Sequence, residues 1–168
     1  MQKLIVFLGN PGPEFKNTRH NVGWLFADHL GLEDWQERYH SLYTRRDGSI
    51  FQKPQTFMNL SGRAVQEIAS FYKIAAKDIL VVHDDLEADF GHVEMRLGGG
   101  LAGHNGLRSV KQMLGTDGFM RLRMGIGRPD RQEVASYVTS RFSSEQEKGL
   151  PDMFKKAEVL LHTFTAGD

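Results

Sequence analysis

Leu4-Ile5-Val6-Phe7-Leu8 and Ile79-Leu80-Val81-Val82 constrain the fold more than any other feature of the chain. Each is a short apolar run, mostly branched, with no polar alternation and with turn or polar residues at its end. Such a run reads as a strand buried on both faces, and a strand of that kind needs helices above and below it. A third strand is expected over Phe119 to Ile126, where Met120, Leu122, Met124 and Ile126 alternate with Arg121, Arg123 and Gly125. His92 to Leu97 also alternates, and a weaker pair of strands around 40 to 53 is joined by Arg45-Arg46-Asp47-Gly48, since Asp-Gly favours a hairpin.

Helical spacing fills the intervals. Val22, Leu25, Phe26 and Leu30 keep it before Gly31, and Ala64, Val65, Ile68, Ala69 and Tyr72 keep it after Ser61-Gly62. Asp130 with Glu133 reads as a capping box ahead of Val134, Tyr137 and Val138. Ser144 with Glu147 starts a further helix that Gly149 and Pro151 are expected to break, so that the last helix runs from about Asp152. Strands alternating with helices predict an α/β chain, a single three-layer domain over residues 1–168, with a mixed twisted sheet, parallel in its centre and flanked by helices. In such folds sites form beyond the carboxyl ends of the strands.

Composition narrows the function classes. The 168 residues are 40% hydrophobic and 25% charged, as in an ordinary soluble protein, and no apolar run approaches the roughly 20 residues that span a bilayer. The N-terminus lacks the longer apolar core and cleavage site of a secretory signal. Cysteine is absent, which removes disulfides, thiol nucleophiles and thiolate metal sites and is compatible with the cytoplasm. The formal net charge is +0, but Arg96, Arg108, Lys111, Arg121, Arg123, Arg128 and Arg131 face only Asp117 and Asp130 between residues 96 and 131. That stretch offers phosphates a basic face, or is simply balanced elsewhere.

Four segments carry chemistry. After the first strand, Gly9-Asn10-Pro11-Gly12 leads through Thr18-Arg19-His20-Asn21 into an apolar helix. Its spacing is not that of a dinucleotide loop, and Pro11 lacks an N–H for phosphate. Thr18 or Asn21 suits the helix cap, while His20 is both held and reachable and titrates near neutrality. In Lys53-Pro54-Gln55-Thr56-Phe57-Met58-Asn59-Leu60-Ser61-Gly62, Asn59 can give a substrate both donor and acceptor, and Met58 can equally fill core space. His83-Asp84-Asp85 ends the second strong strand; consecutive aspartates point to opposite faces, so an acid orienting His20 fits better than a paired cation site. Gly98-Gly99-Gly100-Leu101-Ala102-Gly103 lets backbone approach a ligand closely, and His104-Asn105 opens a helix whose N-terminus favours anions.

Taken together, Gly-Asn-Pro-Gly with Thr-Arg-His-Asn-Val-Gly, Lys-Pro-x-Thr-Phe-Met-Asn-x-Ser-Gly, His-Asp-Asp-Leu, and Gly-Gly-Gly-x-x-Gly-His-Asn-Gly-Leu-Arg-Ser resemble the bacterial peptidyl-tRNA hydrolase family, as does the later Phe119 to Pro129. The resemblance implies hydrolysis of the peptide-to-tRNA ester in the cytoplasm by a monomer without metal or cofactor. It implies His20 as general base, Asp84 as the acid orienting it, Asn10, Asn59 and Asn105 on substrate and water, and His104 in the same pocket. Phe57 and Met58 would line the cleft, and Phe15 would add its ring where many members carry Tyr. Arg96, where many have Lys, and Arg123 would grip tRNA phosphate. The segment 40–52 and the C-terminal end are short for the family, which bears on tRNA affinity. The alternative the resemblance leaves is an RNA-binding relative that does not cut.

Overall fold

The two apolar runs form β1 (Leu4–Phe7) and β5 (Ile79–Asp85), paired in parallel at the middle of the sheet, in a computed structural model that describes residues 2–101 and 103–167. β4 (Ser49–Pro54) extends the parallel pairing on one side and β7 (Met120–Gly125) on the other. Both edges are antiparallel: β3 (Ser41–Arg46) and β2 (Gln36–Arg38) lie beyond β4, and β6 (Val93–Leu97) lies beyond β7. The order β2-β3-β4-β1-β5-β7-β6 is the expected mixed sheet with a parallel centre.

Alternate residues of the central strands serve opposite layers, which is why neither run alternates with polar residues. Ile5, Phe7, Leu80 and Val82 pack with α1 (Val22–His29) and α5 (Ser144–Ala166) through Phe26, Phe154, Ala157 and Leu161. Leu4, Val6, Ile79 and Val81 pack with α2 (Ser61–Tyr72) and α3 (Asn105–Leu114) through Val65, Ile68, Leu107 and Val110. Among the described residues no helix is long and apolar enough to cross a membrane.

The hairpin between β3 and β4 closes on Asp47 (φ 54°) and Gly48 (φ 82°), the two-residue turn that Asp-Gly favours. β2 is an additional strand. Its three residues are polar and exposed, and its turn to β3 places Tyr39 (φ 59°) and His40 (φ 51°) in the left-handed region without glycine or asparagine to announce it.

Two expectations for the C-terminal third are corrected. No capping box forms at Asp130: α4 (Val134–Val138) begins after Glu133 and is fixed by the Tyr137 hydroxyl, which donates to Ile126 O at 2.6 Å. Likewise α5 does not break. It starts from a Ser143–Gln146 capping box and runs straight through Gly149 and Pro151 to Ala166. Gly149 is there for contact, since a Cβ on it would sit 2.9 Å from Phe90 Cε2. Pro151 costs about 3 kcal/mol of helix stability. Burial of Met153, Phe154, Ala157, Leu161 and Phe164 further along offsets it, at about 1.5–3 kcal/mol for each large side chain.

Candidate active site

β1 delivers the chain to Gly9-Asn10, and β5 carries Asp84 beside it. The turn after β1 is held by Asn21, which is fully buried. Its Oδ1 accepts from Asn10 N at 2.8 Å and its Nδ2 donates to Asn10 O at 2.9 Å. Asn21 therefore caps no helix with its side chain; it clamps the backbone of Asn10. Arg19 is anchored on the other side of His20, donating to Tyr137 O at 3.1 Å and lying 4.0 Å from the Tyr137 ring centroid. With both neighbours buried, His20 sits in a short 3-10 turn (Arg19–Asn21) whose position is fixed from two sides.

Asp84 bridges two imidazoles. Its Oδ2 meets His20 Nδ1 at 2.7 Å and its Oδ1 meets His104 Nε2 at 2.8 Å, with the two rings 5.1 Å apart. His104 is also the N-cap of α3, its Nδ1 accepting from Gly106 N (3.1 Å) and Leu107 N (3.2 Å). Backbone N–H groups can only donate, so Nδ1 of His104 carries no proton and Nε2–H points at Asp84. His20 in turn donates from Nδ1, and the lone pair on its Nε2 is left to act as a base.

Electrostatics follow from this arrangement. Burial acts on His20 to lower its pKa, but the charge of Asp84 and its hydrogen bond outweigh burial and hold the imidazole above its ordinary 6.5. Burial acts to raise Asp84, yet His20 and His104 keep it well below the usual carboxylate range. The three ligating atoms lie within 4.8 Å of one another, close enough for a metal ion. A cation there would need Nε2 of His104 free of its proton while the helix occupies Nδ1, that is, an imidazolate. The cluster suits proton transfer better than metal binding.

Asn10, His20, Phe57, Met58, Asn59, Asp84, His104 and Asn105 line one cavity of about 550 Å³. Asn10 Oδ1 accepts from Met58 N at 2.7 Å, which leaves the Asn10 amide NH2 for the cavity. Asn59 and Asn105 are exposed on its rim, Asn105 as the first residue of α3. Met58 is 4% exposed and Phe57 58%, so the first serves core and wall together and the second stands out over the opening.

Three expected residues lie elsewhere. Phe15 closes the 3-10 turn Pro13–Phe15, where its carbonyl takes the Thr18 hydroxyl at 2.8 Å, and its ring is not on the cavity wall. Arg96 is exposed on β6. Arg123 is no free cation: it donates to Asp85 at 2.5 Å and to Glu94, its partner across β6 and β7. Asp84 and Asp85 take different partners, the two histidines and Arg123, although both line the cavity.

Two residues of the wall are not expected there from the sequence: His83, given no role of its own, and Arg121, read only as part of the basic stretch 96–131. His83 donates from Nδ1 to Asp84 O at 2.9 Å, and burial first, then His104, lowers its pKa to about 3, so it stays neutral. Its Nε2 is buried without a partner among the described residues. Arg121 is 2% exposed, and its Nε donates to Gly98 O at 3.1 Å. The signal for Arg121 was present in the polar positions of its strand, but strand alternation alone assigns such residues to solvent.

A family model described as Peptidyl-tRNA hydrolase matches residues 4–168. A peptidyl-tRNA hydrolase of Geotalea uraniireducens is 50% identical over 157 residues, covering 89% of this chain and 82% of its own length. One from Geobacter metallireducens is 47% identical over 167 residues, covering 95% and 86%. The crystal structure of peptidyl-tRNA hydrolase from Acinetobacter baumannii superimposes with a TM-score of 0.85 at 32% identity, over 98% of this chain and 90% of that one.

Proposed function

The chain belongs to the peptidyl-tRNA hydrolase family, enzymes that release tRNA from peptidyl-tRNA, and from that premise we propose that His20 is the general base of this ester hydrolysis. The observation that supports it is the fixed direction of each proton. Asp84 holds Nδ1–H of His20, so Nε2 faces the cavity ready to take a proton from water. The water oxygen attacks the ester carbonyl carbon, and the Asn10 amide NH2, with Asn59 and Asn105 from the rim, donates to the developing oxyanion. Collapse expels the ribose oxygen, which takes the proton back from the His20 imidazolium. Asp84 stabilises that imidazolium and His104 keeps Asp84 in place.

Phe57 and Met58 offer apolar surface to the terminal base or the peptide. Arg96 and Arg123 take the tRNA phosphate; for Arg123 this requires the phosphate to displace Glu94, whose side chain is 45% exposed. We read the enzyme as a monomer of the cytoplasm, where peptidyl-tRNA arises, and sedimentation tests the first point. The function itself is tested by release of free tRNA from an N-blocked aminoacyl-tRNA. His20→Ala should lower kcat at least about a hundredfold, and unchanged turnover would remove His20 from this role.

A further inference from the structure

Arg121 poses a physical problem that the ester chemistry does not resolve. Arginine is seldom fully buried unless it is paired, yet Arg121 is 2% exposed and, among the described residues, has no carboxylate within ion-pair distance. Its one hydrogen bond runs to a backbone carbonyl, Gly98 O. The two carboxylates on this part of the sheet, Asp85 and Glu94, are both engaged by Arg123. Asp117 lies near Gly98, within ion-pair distance of no arginine among the described residues. Burial, then Arg123, disfavour the charged form of Arg121; Asp85 and, less, Glu94 offset part of this, and Arg96 adds to it.

Its cross-strand partner makes the imbalance worse. Arg96 sits directly opposite Arg121 in the register of β6 and β7, and like charges so placed are destabilising. The two guanidinium groups converge on Gly99: a Cβ there would lie 3.1 Å from Arg96 Nε and 3.4 Å from Arg121 Nη2. Gly98 (φ 58°) and Gly99 (φ 88°) hold a left-handed backbone that keeps this space free of side chains. Two cations with no carboxylate in ion-pair contact among the described residues, meeting at an open backbone, make a receptor for an anion. Arg121 reaches the wall of the cavity that contains His20, while Arg96 is exposed on β6, so the receptor leads from the surface into the active site.

We propose that Arg121 and Arg96, meeting across Gly99, form an anion site that receives a phosphodiester of the tRNA strand leading to the scissile ester. The proposal rests on peptidyl-tRNA being the substrate. It adds a buried, uncommitted guanidinium where Arg123 must first give up Glu94.

The test compares two substrates with the same ester, an N-blocked aminoacyl-tRNA and an N-blocked aminoacyl-adenosine that has no phosphate. Arg121→Gln should lower kcat/KM for the tRNA substrate by about tenfold or more beyond any change for the adenosine ester. The slope of log KM against log salt should fall by about 0.7, as for one single-strand phosphate contact. Arg121→Lys should recover part of the loss. Arg96→Gln, at an exposed position where folding is not at stake, should show the same selectivity for the tRNA substrate. Equal losses on both substrates, or no loss on either, in the Arg121 and Arg96 variants would overturn the proposal. A wild-type protein that failed to release tRNA at all would instead overturn the assigned reaction.

Discussion

Asp84→Asn should damage the enzyme more than Asp84→Ala, although asparagine is the closer mimic of aspartate. In the native cluster the two Asp84 oxygens accept one N–H each, from His20 at 2.7 Å and from His104 at 2.8 Å. An asparagine offers one oxygen and one NH2 to the same two rings. His104 cannot change tautomer cheaply, because Nδ1 is occupied by Gly106 N and Leu107 N at the start of α3. The asparagine oxygen must therefore turn to His104, and its NH2 to His20. That forces the His20 proton onto Nε2 and removes the lone pair that takes the proton from water. Asp84→Ala deletes both charge-assisted hydrogen bonds but leaves His20 free to keep its tautomer; the one that supports the base, to His20, is worth about 1.5–3 kcal/mol, a loss of about 10- to 150-fold. The wrong tautomer in Asp84→Asn should bring the loss to the order of 10³- to 10⁴-fold. The assay is tRNA release at neutral pH per mole of folded protein, with near-ultraviolet circular dichroism to confirm packing. An asparagine variant as active as the alanine variant would refute the tautomer argument.

Three further outcomes follow from the same geometry. Because Asp84 holds His20 above 6.5, kcat/KM should rise with pH through a pKa above that value, and an acid limb below 6.5 would contradict the pairing. The linked stability has a defined sign: the raised His20 pKa contributes fully below 6.5 and is lost as pH rises through the folded value, while the lowered Asp84 pKa contributes above 3.8 and is lost as pH falls through its folded value. Gly62→Ala should destabilise by at least about 3 kcal/mol in urea unfolding, since the new Cβ would fall 2.1 Å from the backbone oxygen of Ser109 and would push α2 off α3; a loss under about 1 kcal/mol would show that the helices can part freely. Asn21→Ala strands a buried N–H and C=O of Asn10 at about 1–3 kcal/mol each, and it should lower kcat as well as the urea midpoint, whereas a change in stability alone would mean that Asn10 keeps its place without the clamp.

What could be read from the sequence divides along a physical line. The central strands were legible because burial on both faces leaves a pattern within five residues. β2 was not legible: its polar residues lie on an exposed edge and its turn carries no glycine. The continuity of α5 depends on the core beneath it, not on Gly149 and Pro151. At the site, the sequence carries no sign of contacts that depend on a distant partner. Asn21 looks like a cap until Asn10 is seen between its two polar atoms, and Arg123 looks like a free cation until Asp85 and Glu94 arrive from β5 and β6. His104 shows the limit most clearly, since the family resemblance implies that it lines the pocket while its decisive property, the side of the ring that bears the proton, is set by the helix that follows. With both nitrogens of His104 engaged, by α3 and by Asp84, and Nδ1–H of His20 held by Asp84, the ring nitrogen of the two left without a partner among the described residues is Nε2 of His20. That asymmetry lets two similar histidines beside one carboxylate have different roles, one as base and the other as part of the frame that aims it.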